Sequence, residues 1–318
     1  MCISPYKYVL SLGHLCSDIN QSILSAVLPF LIATYHYDYT TAAMLVTVSN
    51  VFGAFVQPFI GMLSDKKNKL LYMTLGVLLA SGGMAVTGFI SNFFGLWIVV
   101  IMSGIGVAMF HPQAAKLFNS VSSKNAKGKG MSIFSFGGKV GFTLGPVYTA
   151  FLMNLFGMKG TILFLIPGIV FGIVCSFFNK DFENLDVLEV EKKEKVKSEQ
   201  KDDWSGFIKL CCVVFSRSIL SNGISTFLAF YFIQQFSKSN SFASMLLSVF
   251  YGIGSITLLG GGIADCFGHR KMVRLSFCIF LPAIFIFTNT SHFVIALIML
   301  IFMTCGESLS YSPMVVLG

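Results

Sequence analysis

The feature that most constrains this chain is a series of long apolar runs separated by short polar breaks. There are about ten runs of roughly 20 or more residues, and as α-helix each would cross a hydrocarbon layer about 30 Å thick. Transmembrane β-strands would instead alternate in polarity over about ten residues, and this alternation is absent from the sequence. We therefore predict an all-α membrane protein with spans at 7–35, 40–63, 70–91, 93–118, 131–156, 160–179, 206–236, 242–264, 272–290 and 293–318.

Composition supports this class and argues against an enzyme. Hydrophobic residues make up 55% and charged residues 11% of the 318 residues, whereas an ordinary soluble domain has about 25% charged residues. The eight cysteines have no ligand-like spacing. Neither GKG (128–130) nor GGKVG (137–141) completes a phosphate-binding loop, and no nucleophile is paired with a base. We predict a protein that is not an enzyme, with no cofactor and no metal site.

The distribution of Lys and Arg predicts the orientation in the membrane. Cytoplasmic loops carry an excess of these residues, so we expect the N-terminus to be cytoplasmic in a multi-pass protein of the inner (plasma) membrane. This asymmetry also accounts for the net charge of +8 without a nucleic-acid partner. The opposite loops keep only Lys159 and Lys238, while the cytoplasmic set is Lys66, Lys67, Lys69, Lys124, Lys127, Lys129, Arg270, Lys271 and Arg274.

A recurring pattern indicates an internal repeat. Two charged loops, GMLSDKKNKL (61–70) and GGIADCFGHRK (261–271), each place an Asp four residues after a Gly. The segment 180–205 between the two copies is rich in acids and lysines and is predicted to be a solvated linker. We predict a six-helix bundle over 1–179, the linker over 180–205 and an incomplete bundle of about four helices over 206–318.

The charged loops are predicted to act as gates. A carboxylate at a helix end can pair with a neighbouring helix N-terminus in one conformation and separate from it in another. The turn requires a residue that tolerates positive φ, which Gly268 or Asn68 provides. The alternative is that these charges only mark cytoplasmic loops. The candidate gating residues are Gly61, Asp65, Lys66, Lys69, Gly261, Asp265, Gly268 and Arg270.

These motifs resemble a known superfamily. GMLSDKKNK and GIADCFGHRK are similar to the loop signature of the major facilitator superfamily, although Asn68 and Cys266 depart from it. LGHLCSDINQSILSAVLPFL (12–31), GIGVAMFHPQAAKLF (104–118) and FSRSILSNGISTFLAFY (215–231) resemble its fosmidomycin resistance family of drug exporters. The resemblance implies two pseudo-symmetric bundles of six helices, with about 10 of the 12 present here. It also implies a proton-coupled antiporter that works as a monomer.

Asp18 and His14 are the strongest candidates for proton coupling. They are four residues apart and therefore share one helix face. A charged side chain at the bilayer centre costs about 2.5–3.5 kcal/mol even on the lenient scale, so Asp18 is expected to face the protein interior. There it could take up a proton on one side of the membrane and release it on the other. The alternatives are a polar packing patch with Asn20 and Gln21, or a metal site.

Arg217 is the leading candidate for substrate binding. It lies deep in the seventh span and keeps its charge, so it should meet an acid or an anionic ligand. Asp18 or Glu307 could neutralise it, or a phosphonate-like substrate could do so. His111, Asn20, Gln21 and Glu307 complete the predicted substrate site, although His111 precedes a proline and could instead belong to a helix kink.

The fifth span carries GFTLGPVYT, with Gly141, Gly145 and Pro146. Glycines four residues apart permit close helix contact, and the proline bends the helix. The stretch resembles the fifth-helix motif of proton-linked antiporters in the superfamily, although Thr149 replaces a further glycine. We therefore expect export of a small drug-like or anionic molecule by alternating access. The competing expectation is a truncated paralogue that binds a ligand without transporting it, and we favour a C-terminally truncated fragment.

Overall fold

The computed structural model describes residues 5–63, 69–121, 127–178, 204–256 and 267–309. Every regular element among these residues is helical. Two 3₁₀ segments, Thr87–Phe89 and Gly157–Leu165, precede the fourth and sixth helices. The α-helices are α1 (Pro5–Tyr35), α2 (Tyr39–Leu63), α3 (Lys69–Val86), α4 (Phe93–Val121), α5 (Lys127–Phe156), α6 (166–178), α7 (Trp204–Phe236), α8 (Asn240–Ile256), α9 (His269–Asn289) and α10 (Phe293–Leu309).

Seven helical stretches in the described residues are long and apolar enough to cross a membrane. One of them, Phe134–Phe178, runs through α5, the following 3₁₀ segment and α6. The helices α8 and α10 have 17 residues each, which corresponds to a length of about 26 Å. The chain is therefore a multi-pass helical membrane protein, and the count of about ten spans stays a prediction.

The sixth helix begins later than the sequence predicts. The predicted span 160–179 opens in 3₁₀ geometry, and α-helix begins only at residue 166. Side chains hold this segment: the Tyr148 hydroxyl donates to the Leu163 carbonyl at 2.6 Å, and the Thr161 hydroxyl donates to the Ala85 carbonyl at 3.0 Å. These bonds to specific carbonyls come from tertiary packing, which an apolar run does not reveal.

The chain divides into two compact units, Met1–Lys197 and Ser198–Gly318. In the first unit α1 is the most enclosed of the candidate spans, because α3, α4 and α5 all pack against it. The apolar core of this unit combines side chains from five helices, including Leu10, Met73, Phe110, Phe134 and Phe171. Burying side chains of this size is favourable by about 1.5–3 kcal/mol each in water, but within lipid, close packing rather than water exclusion holds helices together.

The most extensive helix contact in the first unit is between α1 and α5. A methyl group added at Gly137 would overlap the Ser11 carbonyl oxygen, and one at Gly141 would overlap the Leu15 carbonyl oxygen. One at Gly145 would overlap the Ser22 hydroxyl. The row of glycines therefore lets the two helix backbones come closer together than residues with side chains would allow.

The second unit contains α7 to α10. An aromatic cluster joins α7 to α9 and α10, with the rings of Tyr231 and Phe287 4.5 Å apart and those of Phe236 and Phe293 5.6 Å apart. The Tyr231 hydroxyl donates to the Phe287 carbonyl at 2.6 Å. Directly before α9, Gly268 has φ of +89°, so the positive φ predicted at this turn is confirmed.

Candidate functional site

Asp18 and His14 form a buried pair on α1. The Asp18 Oδ2 and His14 Nε2 atoms are 3.3 Å apart, one helical turn from each other. Asp18 is only 3% exposed and lies inside the first unit. Burial of a carboxylate requires compensation by a proton, a cation or hydrogen bonds, so the chemistry of the pair depends on what surrounds it.

His111 of α4 approaches the other side of the same carboxylate. Its Nε2 atom lies 3.4 Å from Asp18 Oδ1, and its ring meets that of His14 edge to face with centroids 5.3 Å apart. The sequence predicts His111 as a substrate-binding or kink residue, whereas the structure brings it together with the predicted proton-coupling pair. We call His14, Asp18 and His111 the imidazole–carboxylate cluster.

A backbone carbonyl of α5 fixes the tautomer of His14. His14 Nδ1 lies 2.8 Å from the carbonyl oxygen of Phe134, and a carbonyl oxygen only accepts, so Nδ1 carries a hydrogen. In neutral His14 the Nε2 lone pair then points at Asp18 Oδ2, and an ionised carboxylate also only accepts. Two acceptors at this distance repel each other, so the geometry suits a proton or a cation held between them.

Gly138 of α5 packs directly against this pair. A Cβ added there would lie 2.5 Å from Asp18 Oδ2 and 2.6 Å from His14 Nε2. Asp18 Oδ1 accepts no hydrogen bond from the residues that the structure describes. Lys139, the next residue of α5, interacts electrostatically with His14. The cluster therefore combines a buried carboxylate with a carboxylate oxygen that accepts no hydrogen bond from the described residues.

The cluster has the composition of a metal site as well. One ligand atom from each of its three residues lies within 4.8 Å of the others. Imidazole nitrogen and carboxylate oxygen are ligands that zinc and related ions accept. The same atoms can thus hold a proton or a cation.

Asn20 and Gln21 do not join the cluster. Asn20 is fully buried and donates to the Cys16 carbonyl and to the Ser81 hydroxyl of α3, both at 2.8 Å. Gln21 is exposed on the surface of the first unit. Asn20 therefore serves the packing of α1 against α3, and substrate contacts of these two residues remain predictions.

Arg217 meets Glu307 within the second unit. An Arg217 guanidinium nitrogen pairs with Glu307 Oε1, and the Ser308 hydroxyl donates to Glu307 Oε2 at 3.2 Å. The two side chains are 15% and 10% exposed. A recess next to the pair has about 230 Å³ of free space, including open solvent, and is lined also by Ser276, Phe277 and Phe280. Of the two acids considered from sequence, the structure pairs Arg217 with Glu307, while Asp18 pairs with histidines.

The structure describes only part of the predicted gates. Gly61 lies at the end of α2, where a Cβ would meet no atom within 4 Å. Arg270 is exposed at the start of α9, and Lys69 is the first residue of α3. Their gating role stays a prediction, because Asp65, Lys66, Gly261 and Asp265 lie outside the described residues.

The predicted antiporter motif lies at the α1–α5 contact. Gly141 and Gly145 face α1 as described above, and Pro146 is buried within α5. The Ser22 hydroxyl of α1 lies 3.5 Å from the Gly141 carbonyl. Sequence reasoning missed two further contributors on this helix, the Phe134 carbonyl and Gly138. The pair of glycines in GGK was a signal for close approach, but a backbone carbonyl carries no sequence signature.

The comparisons with known sequences agree with this helical membrane architecture. The sequence profile of the Major Facilitator Superfamily matches residues 10–318. The fosmidomycin resistance protein of Escherichia coli (strain K12) is 23% identical over 276 residues, covering 83% of this chain and 66% of that protein. The multi-drug resistance efflux pump PmrA of Streptococcus pneumoniae serotype 4 is 28% identical over 148 residues, covering 45% of this chain and 36% of that protein.

Solved structures share the fold. A bacterial homologue of the human lysosomal transporter Spinster, in an inward-facing and occupied conformation, has a TM-score of 0.81 at 15% identity, covering 98% of this chain and 73% of that one. The xylose transporter XylE from E. coli, in an inward-open conformation, has a TM-score of 0.76 at 15% identity, covering 98% and 81%. The chain thus spans about two thirds of the length of the fosmidomycin resistance protein.

Proposed function

The chain belongs to the Major Facilitator Superfamily, and on that premise we propose that it exports a small drug-like or anionic molecule in exchange for protons. The superfamily consists of transporters rather than enzymes. Drug export is the finer proposal, and the names of the E. coli and S. pneumoniae relatives support it. The match over residues 10–318 does not favour a ligand-binding paralogue that has lost transport.

The observation that carries the proposal is the buried contact between Asp18 and His14 in the imidazole–carboxylate cluster. Asp18 is 3% exposed, and its Oδ2 lies 3.3 Å from His14 Nε2. The other ring nitrogen of His14, Nδ1, is hydrogen-bonded to the Phe134 carbonyl. A group of this kind can accept a proton from one side of the membrane and release it to the other. Inward release of that proton would drive the outward movement of the substrate.

The remaining parts follow the general scheme of the superfamily. Its two halves rock about a midplane site, which opens to each side in turn. We assign substrate contact to Arg217 and Glu307, because a guanidinium can bind a carboxylate or phosphonate through two parallel hydrogen bonds. The charged loops would act as cytoplasmic latches, and the glycines of α5 would hold α1 in the moving half. The protein would work as a monomer in the inner membrane with its N-terminus cytoplasmic.

The test is drug-dependent proton movement in everted membrane vesicles with an acidic lumen. A fluorescent amine reports the pH gradient, and fosmidomycin and a panel of cationic and anionic drugs are added outside. We expect at least one compound to release luminal protons with the parent chain and not with Asp18→Asn. Asp38→Asn, which changes an exposed acid outside the spans, is the matched control. Equal proton release by Asp18→Asn would refute the proton assignment, and no release by any compound would refute export.

A further inference from the structure

We propose that His14, Asp18 and His111 form a binding site for a divalent transition-metal ion such as Zn²⁺ or Co²⁺. From the sequence we predicted no metal site and kept a metal at Asp18 and His14 as an alternative, and the geometry of the cluster now favours that alternative. The proposal does not rest on transport, because it concerns equilibrium binding to the folded chain.

The chemistry of the donor atoms selects the class of ion. Two imidazole nitrogens and one carboxylate match the three protein ligands typical of zinc sites that keep a fourth position open. Hard cations such as Mg²⁺ and Ca²⁺ prefer shells of oxygen ligands, which this cluster does not offer. The open position would take water or an oxygen atom of a bound molecule.

Two measured separations are close to those of ligand atoms on a tetrahedral ion, and they involve the two different carboxylate oxygens of Asp18. With metal–ligand bonds of about 2.0–2.2 Å, two ligand atoms on a tetrahedral ion lie roughly 3.3–3.5 Å apart. The observed separations are 3.3 Å from Asp18 Oδ2 to His14 Nε2 and 3.4 Å from Asp18 Oδ1 to His111 Nε2. Since all three ligand atoms lie within 4.8 Å of one another, small side-chain movements would complete the geometry.

The surroundings support the ligands in the way metal sites require. A metal-binding histidine usually donates its other ring N–H to a carbonyl or carboxylate, which fixes the ring and frees the ligating nitrogen. His14 does this through the Phe134 carbonyl at 2.8 Å, so that Nε2 faces the cluster. Asp18 Oδ1 is buried and accepts no hydrogen bond from described residues, so its lone pairs are available. A side chain at Gly138 would overlap the ligand atoms of Asp18 and His14, so the glycine lets α5 pack against them.

The first experiment titrates the purified chain in detergent with Co²⁺. Tetrahedral Co²⁺ absorbs visible light far more strongly than the hydrated ion, so the spectrum reports coordination directly. We expect one Co²⁺ per chain with this absorption in the parent, and its loss in both His111→Gln and Asp18→Asn. His36→Gln alters an exposed histidine outside the cluster and should keep the absorption. Melting temperature without metal shows whether each variant is folded.

A gain-of-signal variant keeps the proposal testable if either of the loss variants misfolds. His111→Cys replaces an imidazole by a thiolate, which Co²⁺ also binds and which adds a near-ultraviolet charge-transfer band. We expect this band in His111→Cys and not in the parent. The proposal is overturned if the parent binds no Co²⁺, if His111→Gln and Asp18→Asn bind it unchanged, or if the parent already shows a thiolate band from its native cysteines. None of these readings uses a proton gradient, so they leave the transport proposal to its own test.

Discussion

The Nδ1 atom of His14 lies 2.8 Å from the carbonyl oxygen of Phe134, and this hydrogen bond joins α1 to α5 at the imidazole–carboxylate cluster. It fixes the imidazole with Nε2 towards Asp18 and couples the ring to the backbone of the neighbouring helix. The ring also stacks on the Phe134 side chain at a centroid distance of 4.2 Å. A single histidine therefore serves both the packing of the two helices and the chemistry of the carboxylate.

Two amide substitutions should separate these roles of His14. His14→Asn places an amide N–H near the position of Nδ1 and can still donate to Phe134, whereas His14→Gln places it near Nε2. We expect both variants to lose proton exchange, since an amide does not take up a proton. His14→Asn should retain more stability, by about 1 kcal/mol, because it keeps the hydrogen bond to the carbonyl. Equal melting temperatures for the two variants would contradict this division.

Asp38 caps the start of α2 outside the predicted spans. Its Oδ1 accepts a hydrogen bond from the Thr41 backbone N–H at 2.7 Å, and hydrogen bonding by Thr41 lowers the pKa of Asp38 from its ordinary value of 3.8. A carboxyl group whose pKa is lower in the folded state stabilises the fold above its unfolded pKa. That contribution is lost as the pH falls below about 3.8 and through the folded pKa.

We therefore expect the difference in melting temperature between the parent and Asp38→Asn to change below about pH 4. An Asn at this position can still cap the helix but does not titrate. Asp38→Ala should be less stable than Asp38→Asn at neutral pH, since it removes the cap. If the melting temperatures of the parent and of Asp38→Asn changed in parallel at every pH, the stabilisation by the cap would not depend on pH.

The helical fold was predictable because a membrane imposes it on every apolar run of this length. The His14–Asp18 pair was predictable too, since residues four apart on a helix always share a face. The contact of His111 with Asp18 was not, because it depends on how α4 packs against α1. Likewise, sequence left two acids open for Arg217, and only the fold of the second unit selects Glu307.

The glycines of α5 give a direct test of the α1–α5 contact. Gly141→Ala would place a methyl group against the Leu15 carbonyl oxygen of α1. Overpacking of this kind costs about 1–3 kcal/mol, so the melting temperature should fall. Gly82→Ala on α3 is the matched control, since a methyl group there meets no atom within 4 Å. If Gly82→Ala lowered the melting temperature as much as Gly141→Ala, close packing would not be the cause.

The Arg217–Glu307 pair allows a structural role to be separated from a substrate role. Both side chains are largely buried, so removing one charge deprives the other of this ion pair, at a cost of about 3 kcal/mol or more. We expect Arg217→Met and Glu307→Gln each to lower the melting temperature strongly. The double variant should recover much of that loss, because it buries no unpaired charge.

Transport by the double variant then decides the role of Arg217. If the guanidinium binds an anionic substrate, the double variant should be stable yet fail to release protons when the drug is added to everted vesicles. Arg274→Gln, which changes an exposed arginine of α9, should leave both stability and transport unchanged. If the double variant recovered its stability and also transported the drug fully, the pair would be purely structural. Transport would then not require either charge.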